Sequence, residues 1–196
     1  MHSLTGVMAI LKDSPKAVPS KPIVLNFIRR IWPYMKQVLI NPESRSESED
    51  ENSEVERMVR FTKYTIRYLT LDFKEFIPEL YSSTLEAFKT RPICSYAYLI
   101  EVAITVFYDK PEYSDYFRGV YVSFCGILSQ HINRMEGVEK YSYLFEDFMG
   151  MNKVFYLYNA SILLSSGQLP ALIDLCTQAF LGCKTPRIAK ASYAFL

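Results

Sequence analysis

The residues best suited to bind a ligand are four cations that follow one another closely, Arg57, Arg60, Lys63 and Arg67. They are three, three and four positions apart, so on an α-helix they would share one face. A guanidinium group offers a planar fork of donors to phosphate or carboxylate oxygens, whereas an ammonium group is a compact charge. The spacing therefore predicts a binding face for phosphorylated or acidic ligands. Two other interpretations stay open, a solvated basic face and one neutralised by the acidic segment upstream.

The segment that carries these cations is predicted to be a helix from Glu54 to about Leu69. Ser53 and Glu56 have the spacing of a capping box, which marks a helix start. Apolar or small residues form a separate stripe with heptad-like spacing, and this stripe is predicted to pack inward. Its members are Val55, Val59, Thr62, Ile66 and Leu69.

Upstream, the acidic segment 41–54 holds six carboxylates against Arg45, a local net charge of −5. The part up to residue 53 lacks apolar residues, so it is predicted to be a loop. Several of its serines have an acidic residue three positions on, a pattern that acid-directed kinases favour, and phosphorylation would add negative charge beside the basic helix. The alternative is an unmodified solubilising loop. These serines are Ser44, Ser46, Ser48 and Ser53.

Catalysis and metal binding find little support in the chain. Neither of its two histidines, His2 and His131, has the context of a catalytic triad. The seven glycines include no phosphate-binding or dinucleotide motif. The cysteines lack paired-ligand spacing and are predicted to be buried free thiols in a reducing compartment. They are Cys94, Cys125, Cys176 and Cys183. We therefore predict no enzyme, no metal and no cofactor.

Composition argues against nucleic-acid and membrane binding. The net charge is +1, so the chain has no global basic field that would attract nucleic acid. Its 15 tyrosines mostly have helical spacing, which favours packing over base stacking. The most apolar stretch, 97–108, contains Glu101 and is too short to span a bilayer. The N-terminus lacks the pattern of a signal peptide.

Three prolines indicate the architecture that must position the basic helix. Pro33, Pro78 and Pro170 lie in similar apolar contexts, 45 and then 92 residues apart, and 92 is two steps of 46. The skipped position falls near Phe124. A period of about 40–47 residues is typical of HEAT repeats, in which each unit is a helix pair. We predict an all-α fold, an α-solenoid of about four HEAT-like pairs, with the prolines in first helices that bend.

This period divides the chain, as one solenoid segment 1–196, into successive repeats. Around Gly150 the helical pattern is less regular, and two short helices are predicted there. Neither end has the polar cap that a terminal repeat needs, so we expect a fragment of a longer solenoid. The predicted units are a partial repeat 1–13, repeat 20–70 with the acidic loop 41–53, repeat 73–108, repeat 113–158 and a partial repeat 168–196.

One family shows a similar order of features. The run Ile31-Trp32-Pro33, the acidic loop and then the basic helix that begins Val55-Glu56-Arg57 resemble the C-terminal half of the transportin-SR branch of importin-β-like nuclear transport receptors. The resemblance extends from about Ile23 onward. It implies HEAT repeats, no enzymatic activity and residence in both cytoplasm and nucleus. Partner binding to Ran is implied only for repeats that this chain lacks.

The same resemblance implies a role for the basic helix. In that branch an arginine-rich helix on the concave surface binds the phosphorylated Arg/Ser-rich segments of cargo. Arg57, Arg60 and Arg67 fall on the family's arginines, while Lys63 stands in place of one. That departure keeps the charge and loses the bidentate fork. The alternative function is a HEAT scaffold subunit of another assembly, in which the basic helix docks an acidic partner.

Overall fold

The structure, a computed structural model, describes residues 21–40, 54–90, 92, 94–132 and 135–196. Within these residues the chain forms helices and no strand. The α-helices are α1 Lys21–Ile40, α2 Glu54–Leu69, α3 Ile77–Thr90, α4 Cys94–Phe107, α5 Ser114–Ile132, α6 Met135–Lys140, α7 Ser142–Ser165, α8 Leu169–Gly182 and α9 Pro186–Phe195. Two 3₁₀ helices, Thr70–Phe76 and Pro111–Tyr113, precede α3 and α5.

The predicted all-α fold is confirmed. The described helices belong to two compact units, one within residues 1–91 and one within 92–196. None of them is long and apolar enough to cross a membrane. The exact repeat boundaries remain predictions. The partial repeat 1–13, the acidic loop 41–53 and the four candidate phosphorylation serines, including Ser53, lie outside the described residues.

In the N-terminal unit, α1 and α2 form an antiparallel pair. Lys21 Nζ, at the start of α1, donates to Thr70 Oγ1 just beyond the end of α2, over 3.2 Å. Tyr34 OH, in the second half of α1, donates to Glu54 Oε1 at the start of α2, over 2.9 Å. Since each helix begins beside the end of the other, the two run in opposite directions. Such a pair is the unit from which helical repeats are built.

Helix α1 also packs beside α3 and the 3₁₀ helix that precedes it. These segments run in the same direction as α1. Arg29 bonds to Glu75 and Trp32 bonds to Glu79, so the contacts advance together along both segments. The contacting residues are 46 and 47 positions apart in sequence. This separation is close to the 45-residue step between Pro33 and Pro78, which is the length predicted for one repeat.

All three matched prolines lie in helices, but only one of them lies in a helix interior. Pro33 lies inside α1. Pro78 is the second residue of α3, directly after the 3₁₀ helix, and Pro170 is the second residue of α8. The missing N–H costs little there, because the first N–H groups of a helix have no partner in the helix. The predicted bend is therefore unnecessary at these two sites. Phe124, at the proline-free position, is fully buried in α5.

The prediction of two short helices around Gly150 was wrong. Helix α7 continues through Gly150, and a Cβ added there would lie 2.8 Å from Glu101 Oε1 of α4. The glycine makes room for a neighbouring side chain and does not end the helix. The helical geometry is interrupted instead at Asn159, whose Oδ1 accepts a bond from Ser161 Oγ over 2.8 Å. Asparagine favours such local side-chain bonds over regular helix.

A buried polar pair links α5 to α7 in the C-terminal unit. Tyr121 OH donates to Asn152 Oδ1 over 2.5 Å, and Asn152 Nδ2 donates to the carbonyl of Phe148 over 2.8 Å. Both the tyrosine and the asparagine are fully buried. The Tyr121 ring also lies against Phe155, with 4.6 Å between the ring centroids. Since buried polar groups are costly unless bonded, this pair favours one register between the two helices.

Candidate anion-binding face of helix α2

Helix α2 is buried over most of its circumference. The five residues predicted to pack inward are all buried, which confirms that stripe. A second buried stripe, which the sequence analysis missed, contains Met58, Phe61, Thr65 and Tyr68. Residues in a helix are about 100° apart, so the exposed and partly exposed residues from Glu56 onward lie within an arc of about 120°. All four predicted cations lie within that arc.

Two threonines widen the buried part of α2. Thr62 Oγ1 donates to the carbonyl of Met58 over 2.8 Å, and Thr65 Oγ1 donates to that of Phe61 over 2.9 Å. Both side chains are fully buried. Because each hydroxyl is satisfied by its own helix, threonine can line the core without leaving an unpaired polar group. Thr62 can therefore belong to the inward stripe although its side chain is polar. The cations lie on the opposite side of the helix.

The structure brings the predicted site residues together on one face. Arg57, Arg60 and Arg67 are exposed, and Lys63 is partly exposed. The helix rises about 1.5 Å per residue, so the four cations extend over about 15 Å. Within the described part of the chain, neither Arg57 nor Arg67 forms an ion pair with a carboxylate. We call these four residues the basic face.

Carboxylates lie at the beginning of the basic face. Glu56 lies four positions before Arg60 and so shares its side of the helix. Glu54 lies three positions before Arg57 and accepts the hydroxyl of Tyr34. Both acidic residues are in the first turn, where negative charge is favourable. Beyond that turn α2 contains no acidic residue.

One aromatic residue of the face was missed from sequence. Tyr64 is partly exposed, and Lys63 Nζ lies 5.4 Å from its ring centroid, within cation–π distance. Its spacing was the available signal, since Tyr64 comes four positions after Arg60 and three before Arg67. The ring gives the basic face an apolar patch between charges.

Two of the described cysteines are buried and unreactive. Cys125 and Cys176 are buried free thiols, and burial raises the pKa of each to about 12. They remain protonated at neutral pH and are poor nucleophiles, because the thiolate is the reactive form. Cys183 is partly exposed. Among the described residues, no group of histidine, cysteine and acidic side chains is arranged to hold a metal ion.

Comparison with known protein families identifies the chain. The family model described as the Transportin-3/Importin-13 fourth TPR domain matches residues 21–132, more than half of the sequence. The chain belongs to this family. The matched part includes helices α1 to α5 and so contains the basic face. The resemblance to the transportin branch of the importin-β-like nuclear transport receptors is therefore confirmed. No curated protein and no solved structure matched the chain.

The family description uses the term TPR, whereas the proline spacing predicts HEAT-type repeats. Both are repeats of antiparallel helices, but a TPR unit has about 34 residues and a HEAT unit about 40–47. Residues of α1 contact residues 46 and 47 positions later. In this importin/transportin repeat domain, the separation between these contacting residues thus agrees with the length of a HEAT unit.

Proposed function

We propose that the basic face of α2 binds phosphorylated Arg/Ser-rich or other acidic protein cargo, and that the chain is a cargo-binding segment of a nuclear import receptor. Membership of the Transportin-3/Importin-13 family supports the receptor role. In this proposal the protein acts in both cytoplasm and nucleus and performs no catalysis. Ran is assigned to repeats outside this chain, and direct binding to nucleic acid or membrane is not part of the role.

The observation that carries the proposal is the exposure of all the predicted cations on one side of a helix whose other sides are buried. A flexible basic loop would lose conformational entropy on binding, whereas α2 already holds its backbone in place. Each arginine can form charge-assisted bonds to phosphate oxygens. Because Arg57 and Arg67 have no carboxylate partner among the described residues, a ligand would not first have to break an ion pair at either of them.

The spacing of the cations supports an extended ligand with regularly repeated negative charges. In an extended peptide, alternate residues on the same side are about 6.6 Å apart, and one helical turn rises about 5.4 Å. A segment with phosphoserine at every second position would therefore present about one phosphate per turn of α2. Lys63 offers a single charge at its turn, where a fork would bind two oxygens. We expect weaker phosphate selectivity at that position than at the arginines.

The proposal can be tested with the double variant Arg60→Ala/Arg67→Ala. Hydrogen bonds to charged groups are worth about 1.5–3 kcal/mol each, so binding of a phosphorylated Ser-Arg repeat peptide should weaken at least about tenfold. The measurement is a fluorescence-anisotropy titration at low and moderate salt, with the unphosphorylated peptide in parallel. Helical content should stay unchanged, because both side chains are exposed.

A matched control removes the same charge elsewhere in the unit. Arg29→Ala/Lys36→Ala also deletes two cations, but both are paired with carboxylates between α1 and the following repeat. This variant should bind the phosphopeptide like the wild type. Equal affinity in the wild type and the α2 variant would overturn the cargo assignment. Tight binding of an unphosphorylated acidic helical peptide, lost in the α2 variant, would favour the scaffold function.

A further inference from the structure

A groove opens between helices α5, α7 and α8 of the C-terminal unit, with a volume of about 220 Å³. Its floor is formed by Ile132, Phe148 and Leu172, all of them buried. Cys125 also lines it, and burial keeps this thiol neutral by raising its pKa. The floor is therefore apolar and offers dispersion contacts but no charge.

The rim of the groove is polar and carries Ser129, Gln168, Asp174 and Gln178. Two bonds inside the protein already use donors of this rim. Ser129 Oγ donates to the carbonyl of Gly126 over 3.0 Å, and Gln178 Nε2 donates to Asp174 Oδ2 over 2.8 Å. The hydroxyl and carboxamide oxygens and the second carboxylate oxygen remain as acceptors, beside the remaining amide donors of the two glutamines. The bond from Gln178 also holds the carboxylate of Asp174 in a fixed orientation.

The charge around the groove is negative. Asp174 is the one charged side chain among the described residues that line it, and no lysine or arginine is present there. Within the described part of the chain Asp174 forms no ion pair. An apolar floor beneath acceptors and a carboxylate suits a ligand that has an apolar stem and a cationic head rich in donors. Arginine has both, since its methylene chain packs on apolar surface and its head carries five N–H donors.

The size of the groove favours a single side chain over a small molecule. Pockets that bind small molecules usually have volumes of about 300–1,000 Å³, and this groove is smaller. We propose that the groove binds one arginine side chain of an extended protein segment. The stem lies on Phe148 and Leu172, and the guanidinium donates to the carboxylate of Asp174 and the oxygen of Gln178. This inference does not depend on the role assigned to α2.

The test uses the full chain, labelled with ¹⁵N, and the capped pentapeptide Gly-Ser-Arg-Ser-Gly. Addition of the peptide should shift the amide resonances of residues 171–178 in two-dimensional NMR spectra. The same peptide with citrulline, which is neutral and nearly the same shape, should shift them far less. Asp174→Asn should weaken binding about threefold to fivefold, the upper part of the range for an exposed ion pair. Glu112→Gln, which removes an exposed carboxylate outside the groove, should leave binding unchanged.

A second variant tests the apolar floor independently of charge. Ala171 lines the groove and is exposed, so Ala171→Leu should partly fill it without disturbing the core. We expect loss of the peptide-dependent shifts, while the rest of the spectrum keeps its dispersion. The proposal is overturned if the arginine peptide produces no shifts at residues 171–178. Equal binding of the citrulline peptide, or equal binding to Asp174→Asn, would overturn it too.

Discussion

Two rows of charged residues in the N-terminal unit differ in how their charges are balanced. We call the contact of α1 with the 3₁₀ helix and α3 the α1–α3 seam. There Arg29 Nη2 lies 2.8 Å from Glu75 Oε1, and Lys36 pairs with Glu79. On the basic face of α2, cations outnumber carboxylates. The difference teaches that charges between these repeats are matched within the fold, whereas Arg57 and Arg67 of the basic face have no carboxylate partner among the described residues.

The stability of the seam depends less on its ion pairs than on an aromatic cluster beside them. Exposed ion pairs contribute about 0–1 kcal/mol each. Trp32, in contrast, is almost fully buried, and its ring lies 6.0 Å from that of Phe73 and 4.9 Å from that of Phe76. Its Nε1 donates to Glu79 Oε2 over 2.6 Å. The indole therefore joins the core to the charged row.

The largest expected effect comes from removing this link. Trp32→Ala should reduce the free energy of unfolding by about 3–5 kcal/mol, because it leaves a cavity between α1 and the following repeat. Denaturant unfolding followed by circular dichroism measures the change. Ile23→Ala is the control, since Ile23 is 73% exposed on the same helix and should have little effect. Similar destabilisation by both substitutions would mean that the seam is not held by Trp32.

A smaller effect should depend on pH. Hydrogen bonds from Lys36 and Trp32 lower the pKa of Glu79 from its ordinary value of 4.5. A carboxylate with a lowered pKa in the folded state stabilises the fold above about pH 4.5, and the stabilisation is lost as pH falls through the folded value. Glu79→Gln should thus cost about 1 kcal/mol at neutral pH, and the difference from wild type should shrink in acid. Unfolding curves at several pH values measure it, and a constant difference would contradict the assignment.

The smallest expected effect lies on the basic face. Lys63→Arg should bind the phosphorylated Ser-Arg peptide about twofold to threefold more tightly, because a guanidinium can bond two phosphate oxygens at once. Stability should not change, since Lys63 is partly exposed. The matched change in the seam, Lys36→Arg, should leave peptide binding as it is. Weaker binding after Lys63→Arg would show that the face does not recognise phosphate through this position.

Much of helix α2 could be predicted from sequence because its pattern is local. The inward stripe, with its heptad-like spacing, required only helix geometry. The placement of four cations on one side followed from the same geometry. The second buried stripe could not be predicted in this way, because a helix with two packed neighbours buries more of its surface than one hydrophobic stripe reveals.

Other features required side chains that are distant in sequence. In the sequence, Gly150 suggests a break in the helix. Only the tertiary structure shows that it leaves room for the side chain of Glu101 from α4. The groove in the C-terminal unit combines residues of three helices, and its acceptors remain only after the bonds of Ser129 and Gln178 are known. Neither arrangement is marked in the sequence by a periodic pattern or a motif.

The sequence by itself determined most of the helices and the placement of four cations on one face, because periodicity and turn chemistry act between residues a few positions apart. The tertiary structure decided which charges are neutralised. Glu79 receives Lys36 and Trp32 from 43 and 47 positions away, whereas Arg57 and Arg67 have no carboxylate partner among the described residues. The reason is physical, since pairing depends on which helices pack together, and that depends on how several apolar faces are buried at once.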